Sequence, residues 1–503
     1  MSSKIYSVEL SGLDGYLIEI EIDNRPHGNV GFNIVGLPDT AVQESRERVI
    51  HAVRNSGFRF PRGRVIANLA PADLKKMGSR YDLAIAIGAL RLDGEVSDDH
   101  FDETIFLGEL ALNGGIRPIN GILASVEFAK KKGFTIAIVP KENAIEAALI
   151  PDIKIVPAGN LKEAIEFLSG NICPLPIRHK IEKGEIVPKV DMAVIKGQAQ
   201  AKRALEIAAS GGHNILFSGS PGSGKTLMAK AFQGILPIMS HEEMLEVTKV
   251  YSVAGMLDKS LITERPFRPV HHTASAISIV GGGNIPGPGE ISLAHRGILF
   301  MDEIAEFPTA VLEVLRQPME DRVITISRAR GSITYPAQFI LIAAMNPCPC
   351  GYLNCENTSK TCTCPRWKIE RYSKKLSGPL LDRFDIRLNI QPVPHNELVG
   401  CAEGESSEII RKRVEGAVEM QKKRFEKLSI QRNSEMSNVE LEKFCPLCTK
   451  GRDLLEQAIE KFDLSARSYF RVIKLARTIA DLEEENEIKS CHISEALQYR
   501  IRN

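Results

Sequence analysis

The chain has 503 residues, more than one hydrophobic core usually organises, so two to four domains are expected. Its 64 basic and 63 acidic residues balance, which excludes a globally basic nucleic-acid coat and leaves room only for local basic surfaces. Ten cysteines are few for a disulfide scaffold of this length, the start is no signal peptide, and no apolar run is long enough to cross a membrane; a cytoplasmic protein is expected.

From Tyr6 to Ser169, short β-rich runs (YLIEIEI, RVIANLA, TIAIVP) alternate with helical ones (TAVQESRERVIHAVRNSG, LKEAIEFLSG), which predicts an α/β domain over residues 1–170. Phe32 to Asp39 reads as a tight turn into a helix. The segment from Phe106 to Leu149, which opens with FLGELALNGGIRPINGIL, resembles the proteolytic domain of the Lon protease family. Lon-type proteases activate a serine with a lysine. Here the lysine's expected place after Asn120-Gly121 holds Ile122-Leu123, and Ser79, the nearby serine, is left without a base. A Lon-like α/β domain without peptidase activity is therefore expected.

Residues 171–190, rich in proline and without periodicity, read as a linker to an ATPase core over 191–395. Within that core, Ile195 to Gln198 marks the region expected to hold an adenine ring. The apolar run Ile215-Leu216-Phe217 then leads into Gly219-Ser220-Pro221-Gly222-Ser223-Gly224-Lys225-Thr226, a G-x-x-x-x-G-K-[ST] phosphate-binding loop succeeded by helical sequence. Glycines let successive backbone N–H groups face a polyphosphate, Lys225 reaches the β- and γ-phosphates of ATP, and Thr226 offers its hydroxyl to Mg²⁺.

Downstream, His271-His272 lack a carboxylate or cysteine at ligand spacing, so no metal is expected there. Ile298 to Met301 reads as a buried strand delivering Asp302 to Mg²⁺ and Glu303 to the attacking water. Arg322 to Phe339 predicts a hairpin whose basic tip, with Arg328 and Arg330, is a candidate DNA contact. The strand FILIAAMNP ends in Asn346, placed to touch a γ-phosphate or the attacking water. In the Cys-rich insertion over 348–364, Cys348, Cys350, Cys362 and Cys364 form two C-x-C pairs suited to a structural Zn²⁺, with Cys355 spare; Cys445 and Cys448 stay unassigned. Trp367 and Tyr372 stand within a basic stretch from Lys360 to Arg387, a composition that suits single-stranded or distorted nucleic acid. Leu380 to Asp385 has the form of an arginine finger, with Arg383 serving a neighbouring subunit. Residues 396–503 read as a helical lid, in which Arg467 is the candidate second sensor and Arg471 and Arg477 compete with it.

Taken together, FLGELALNGGIRPINGIL, GSPGSGKT, RPFRPVHHTAS, GGGNIPGPGEISLAHRGILFMDE, AAMNPCPCG and SGPLLDRFDI resemble the ComM/YifB group of magnesium-chelatase-like AAA+ ATPases across nearly the whole length. The resemblance implies a homo-hexameric ring that hydrolyses ATP and acts on single-stranded and branched DNA. It further implies a branch-migration helicase that promotes integration of incoming strands in natural transformation, beside recombination proteins and away from membranes. It implies Arg383 as finger and Arg467 as second sensor, and Ser220 departs from the proline usual at its position. The competing expectation is an AAA+ motor that remodels a protein complex or assists metal insertion, as magnesium chelatase does.

Overall fold

A computed structural model describes residues 2–25, 31–96, 100–171, 188–283, 286–328, 331–355, 360–393, 404–462 and 464–500. The chain divides into two compact units, Met1–Lys183 with His241–Ile262, and Gly184–Ser240 with Thr263–Asn503.

The first unit is built on a seven-stranded mixed sheet in the order Gly31–Val35, Arg64–Ala70, Asp14–Arg25, Ser2–Ser11, Thr104–Phe106, Ile136–Pro140, Lys154–Ala158. Arg64–Ala70, Asp14–Arg25 and Ser2–Ser11 pair antiparallel and every other pair runs parallel. Alternation along Asp14–Arg25 turns Ile18, Ile20 and Ile22 into the core, the period-two pattern of a sheet with one covered face. The helix Thr40–Asn55 starts where Asp39 accepts a hydrogen bond from the Val42 N–H at 2.8 Å, as an N-cap should. It buries Val42, Val49, Ala52 and Val53.

This unit also contains the helix His241–Ala254, which comes after the phosphate-loop helix in sequence. It is fastened there by Lys249 to Glu127 at 2.6 Å, by the Gly121 N–H to the Ser252 carbonyl at 3.1 Å, and by the Ser252 hydroxyl to Glu146. Leu123, at the position where a Lon-type protease would carry its lysine, is fully buried among Ile122, Val126 and Ala129. Ser79 donates to Glu109 rather than to an amine.

The second unit holds a five-stranded parallel sheet in the order Phe267–Val270, Ile298–Met301, Ile340–Met345, Ile215–Gly219, Ile386–Ile390. Ile298–Met301 is buried at every position, as expected for a strand covered on both faces. Helices Ala199–Gly211, Lys225–Ile235, Ser407–Arg424 and Ala466–Leu482 enclose a continuous core with Ile215, Phe217, Ile342 and Ile386. The C-terminal helices thus pack into the same unit as the sheet. Their polar interior gathers around Asp481, which accepts from Arg424, Asn433 and Arg477 at 2.8, 2.7 and 3.1 Å. A buried carboxylate needs such donors to offset its lost hydration.

Candidate functional site

The strand Ile215–Gly219 ends under the phosphate-binding loop and the helix Lys225–Ile235 begins directly after it. Gly222 and Gly224 take φ of +80° and +91°, left-handed conformations that L side chains rarely adopt. At Gly219 the constraint is steric, since a Cβ there would meet the Ile390 carbonyl oxygen at 2.4 Å. Lys225 curls back and donates to the Gly219 and Ser220 carbonyls at 2.7 and 2.9 Å. Burial lowers its pKa. The Ser220 and Ser223 hydroxyls are buried without a hydrogen-bond partner.

Three further strands bring the rest together. Thr226 donates to the Asp302 carboxylate at 2.9 Å, which places the hydroxyl and carboxylate expected of a Mg²⁺ site in contact. Bound there, Mg²⁺ would neutralise charge on the phosphates. Asn346, one residue past Ile340–Met345, accepts from Lys225 at 3.4 Å. Glu303 has a left-handed backbone, φ +50°, and a half-exposed side chain. Its Oε2 lies 3.5 Å from Nδ1 of His272. Sequence spacing shows no carboxylate near His272, and the structure corrects this: the partner comes from another strand. No local spacing could have signalled it.

The cysteine-rich segment begins two residues past Asn346. Cys348, Cys350, Cys362 and Cys364 converge, with sulfurs of the first three 3.3 to 3.6 Å apart. Four thiolates around Zn²⁺ at about 2.3 Å stand roughly 3.8 Å from one another, so the set fits the ion. Cys355 is apart from it, its thiol towards the Gly351 and Leu353 carbonyls. At Gly351, which has φ +86°, a Cβ would approach Pro221 Cδ to 2.6 Å, so the cysteine segment lies directly on the phosphate loop.

Arg383 is buried, with Nη2 on Glu320 at 2.6 Å and Nη1 on the Pro379 carbonyl at 2.6 Å. A finger must present its guanidinium, and in this chain it is held inward. Arg467 is exposed at the start of Ala466–Leu482. One turn on, Arg471 donates to the Arg383 carbonyl at 3.0 Å and also engages Asp385, which ties the Arg467 end of the helix to the Arg383 segment. Arg477 is committed to Asp481 and to backbone carbonyls.

The predicted hairpin forms from Val323–Arg328 and Gly331–Pro336. Arg330 lies outside the described residues, and for Arg328 only the backbone is described. The basic aromatic stretch is corrected in part. Trp367 is 63% exposed beside Lys368, Arg371 and Lys374, but Tyr372 is buried and cannot stack on a base. No described helix is long and apolar enough to cross a membrane.

Comparison with known proteins covers both units. Family models described as magnesium chelatase, subunit ChlI, as subunit ChlI of Mg-chelatase, and as its C-terminal part match residues 191–398, 18–143 and 404–500. The chain is 42% identical to the competence protein ComM of Haemophilus influenzae over 503 residues, 99% of this chain and 97% of that one. It is also 42% identical to the YifB protein of Salmonella typhimurium over 96% of this chain and 93% of that one. Similarity to the magnesium-chelatase 38 kDa subunit of Cereibacter sphaeroides is 25% over 31% of this chain and 52% of that one.

Proposed function

The chain belongs to the ComM/YifB family of magnesium-chelatase-like AAA+ proteins, and from that premise we propose that it is an ATP-hydrolysing homo-hexameric ring motor acting on DNA. The observation that carries the ATPase reading is the convergence of Lys225 and Thr226, at the start of the helix Lys225–Ile235, with Asp302 and Asn346, each just past a strand of the parallel sheet. In this reading the loop and Lys225 hold the phosphates of ATP, Thr226 and Asp302 hold Mg²⁺, and Glu303 orients the attacking water. Asn346 senses the γ-phosphate. Arg383 serves the site of the adjacent copy as arginine finger, and Arg467 reaches back to the γ-phosphate as the second sensor. Cys348, Cys350, Cys362 and Cys364 hold a structural Zn²⁺.

Support for DNA as the substrate comes from the hairpin, from exposed Trp367 among lysines and arginine, and from the competence role named for the Haemophilus relative. Branch migration of single-stranded and four-way DNA during strand integration, in the cytoplasm and with recombination proteins, is the activity these features suit best. A protein-remodelling or metal-inserting motor is the second reading, favoured by the matches to the magnesium-chelatase subunit. The test is the steady-state ATPase rate of the purified protein with no DNA, single-stranded DNA and a four-way junction. Stimulation greatest with the junction supports the DNA reading; a rate indifferent to both DNAs removes it and turns attention to protein partners.

A further inference from the structure

Behind the strand that feeds the phosphate loop, on the sheet face that Ile215 and Phe217 do not occupy, lies a cavity of about 450 Å³. Leu216 and Ser218 form part of its floor, Leu376 and Leu381 an apolar wall, and Arg387 and Arg500 line it as well. None of residues 219–226 and none of the four clustered cysteines lines it, although Met345 and Pro347, on either side of Asn346, do. Its volume falls in the range of small-molecule sites.

The charge of the lining is one-sided: two guanidiniums and no carboxylate. Arg500 is only 4% exposed. Its Nη1 donates to the Phe384 carbonyl at 2.6 Å and its Nη2 to the Ser468 hydroxyl at 2.8 Å, while Nε has no partner. Arg387 gives Nη2 to the Leu381 carbonyl at 2.6 Å, with Asp382 at 3.5 Å. Burial and the facing Arg387 charge push the Arg500 pKa down to about 10, partly offset by Asp385 and Asp382. A buried N–H left unused beside two like charges is costly, and an anion between them removes both costs. The geometry points to this cavity as an oxyanion-binding site for a small molecule whose phosphate or carboxylate lies at Arg387 and Arg500 and whose apolar part rests on Leu376 and Leu381.

The test is thermal unfolding of the full chain with inorganic phosphate or citrate, each against sodium chloride at matched ionic strength. Wild type and Lys225→Ala are both expected to gain about 2 °C or more with at least one of the two anions, because a ligand bound only by the folded state raises Tm. Arg387→Gln and Ser218→Leu, which fills the cavity without touching a charge, are expected to lose that gain, and Arg387→Lys to keep part of it. A gain with phosphate alone, or with citrate alone, identifies the preferred oxyanion. No gain in wild type, or an equal gain in Arg387→Gln and Ser218→Leu, overturns the assignment.

Discussion

Arg383 is closed onto its own chain: its guanidinium lies 2.6 Å from the Glu320 carboxylate, and its side chain is 5% exposed. Glu320 itself is 43% exposed, so the pair can open without unfolding the core around Phe384. A finger that serves the next copy has to leave Glu320 first. Arg383→Ala is expected to lower kcat by about 10³-fold while leaving nucleotide affinity within about threefold. Mixing Arg383→Ala with Lys225→Ala is expected to restore part of the rate, because some sites then combine an intact loop with an intact arginine. No recovery in the mixture would remove Arg383 from a shared site.

Lys225 and Glu303 are expected to separate binding from turnover. Lys225→Ala removes the amine that caps the loop carbonyls and reaches Asn346, and binding of a fluorescent ATP analogue should vanish. Glu303→Gln keeps the shape of the side chain and leaves Lys225 in place, so the analogue should bind while phosphate release stops. Wild-type turnover in Glu303→Gln would withdraw the water-orienting role.

His272 holds the other side of Glu303. Its ring lies tilted against that of His271 with centroids 4.1 Å apart and meets Phe307 edge-on, so packing on two sides restrains it. His272→Ala is expected to reduce kcat about tenfold with KM nearly unchanged, the pattern of a lost interaction made in the transition state. A rise in KM alone would show that the histidine supports nucleotide binding instead.

The cysteine set predicts about one zinc per chain by elemental analysis of protein purified without chelator. Cys362→Ser should bring the content close to zero. Because Cys348 stands two residues from Asn346 and Gly351 packs on Pro221, the same substitution is expected to weaken nucleotide binding several-fold. Unchanged zinc content in Cys362→Ser would exclude this residue as a ligand.

Asp385 is fully buried, and burial raises its pKa, but Arg471, His213 and Lys474 outweigh that and hold it well below the usual carboxylate range. Its stabilising contribution is therefore present above the unfolded carboxylate value, about 3.9, and is lost as pH falls towards the folded value. Asp385→Asn leaves Arg471 facing a neutral group and is expected to cost about 3 kcal/mol in urea unfolding at pH 7. Below about pH 4 the gap between wild type and variant should narrow; a gap that widens would contradict the pairing.

What could be read from the sequence was what adjacent residues encode. The phosphate loop, the strand ending in Asp302 and Glu303, and the two C-x-C pairs are contiguous patterns, and the structure brings their members together as read. Relationships that depend on which strands become neighbours were not legible. His272 meets Glu303 only because Phe267–Val270 lies beside Ile298–Met301. Tyr372 reads as a stacking residue in a basic run, yet the turn of Arg366–Ser373 points it inward while Trp367 faces out. Arg500 carries no motif, and its place beside Arg387 stems from the C-terminal backbone, where the Tyr499 carbonyl accepts from the Arg387 N–H at 2.8 Å. The helix His241–Ala254 has an ordinary amphipathic pattern that does not say which core it will join.

That helix decides how the molecule can be taken apart. The chain passes between its two units at three places, near 183, 240 and 262, so no single cut divides it into those two units. A recombinant fragment starting at 184 would carry His241–Ala254 with Met244 and Leu245 stripped of the core they pack against, an invitation to aggregate. Removing residues 241–262 along with 1–183 and bridging Ser240 to Thr263 by a short glycine linker is the excision that respects both cores.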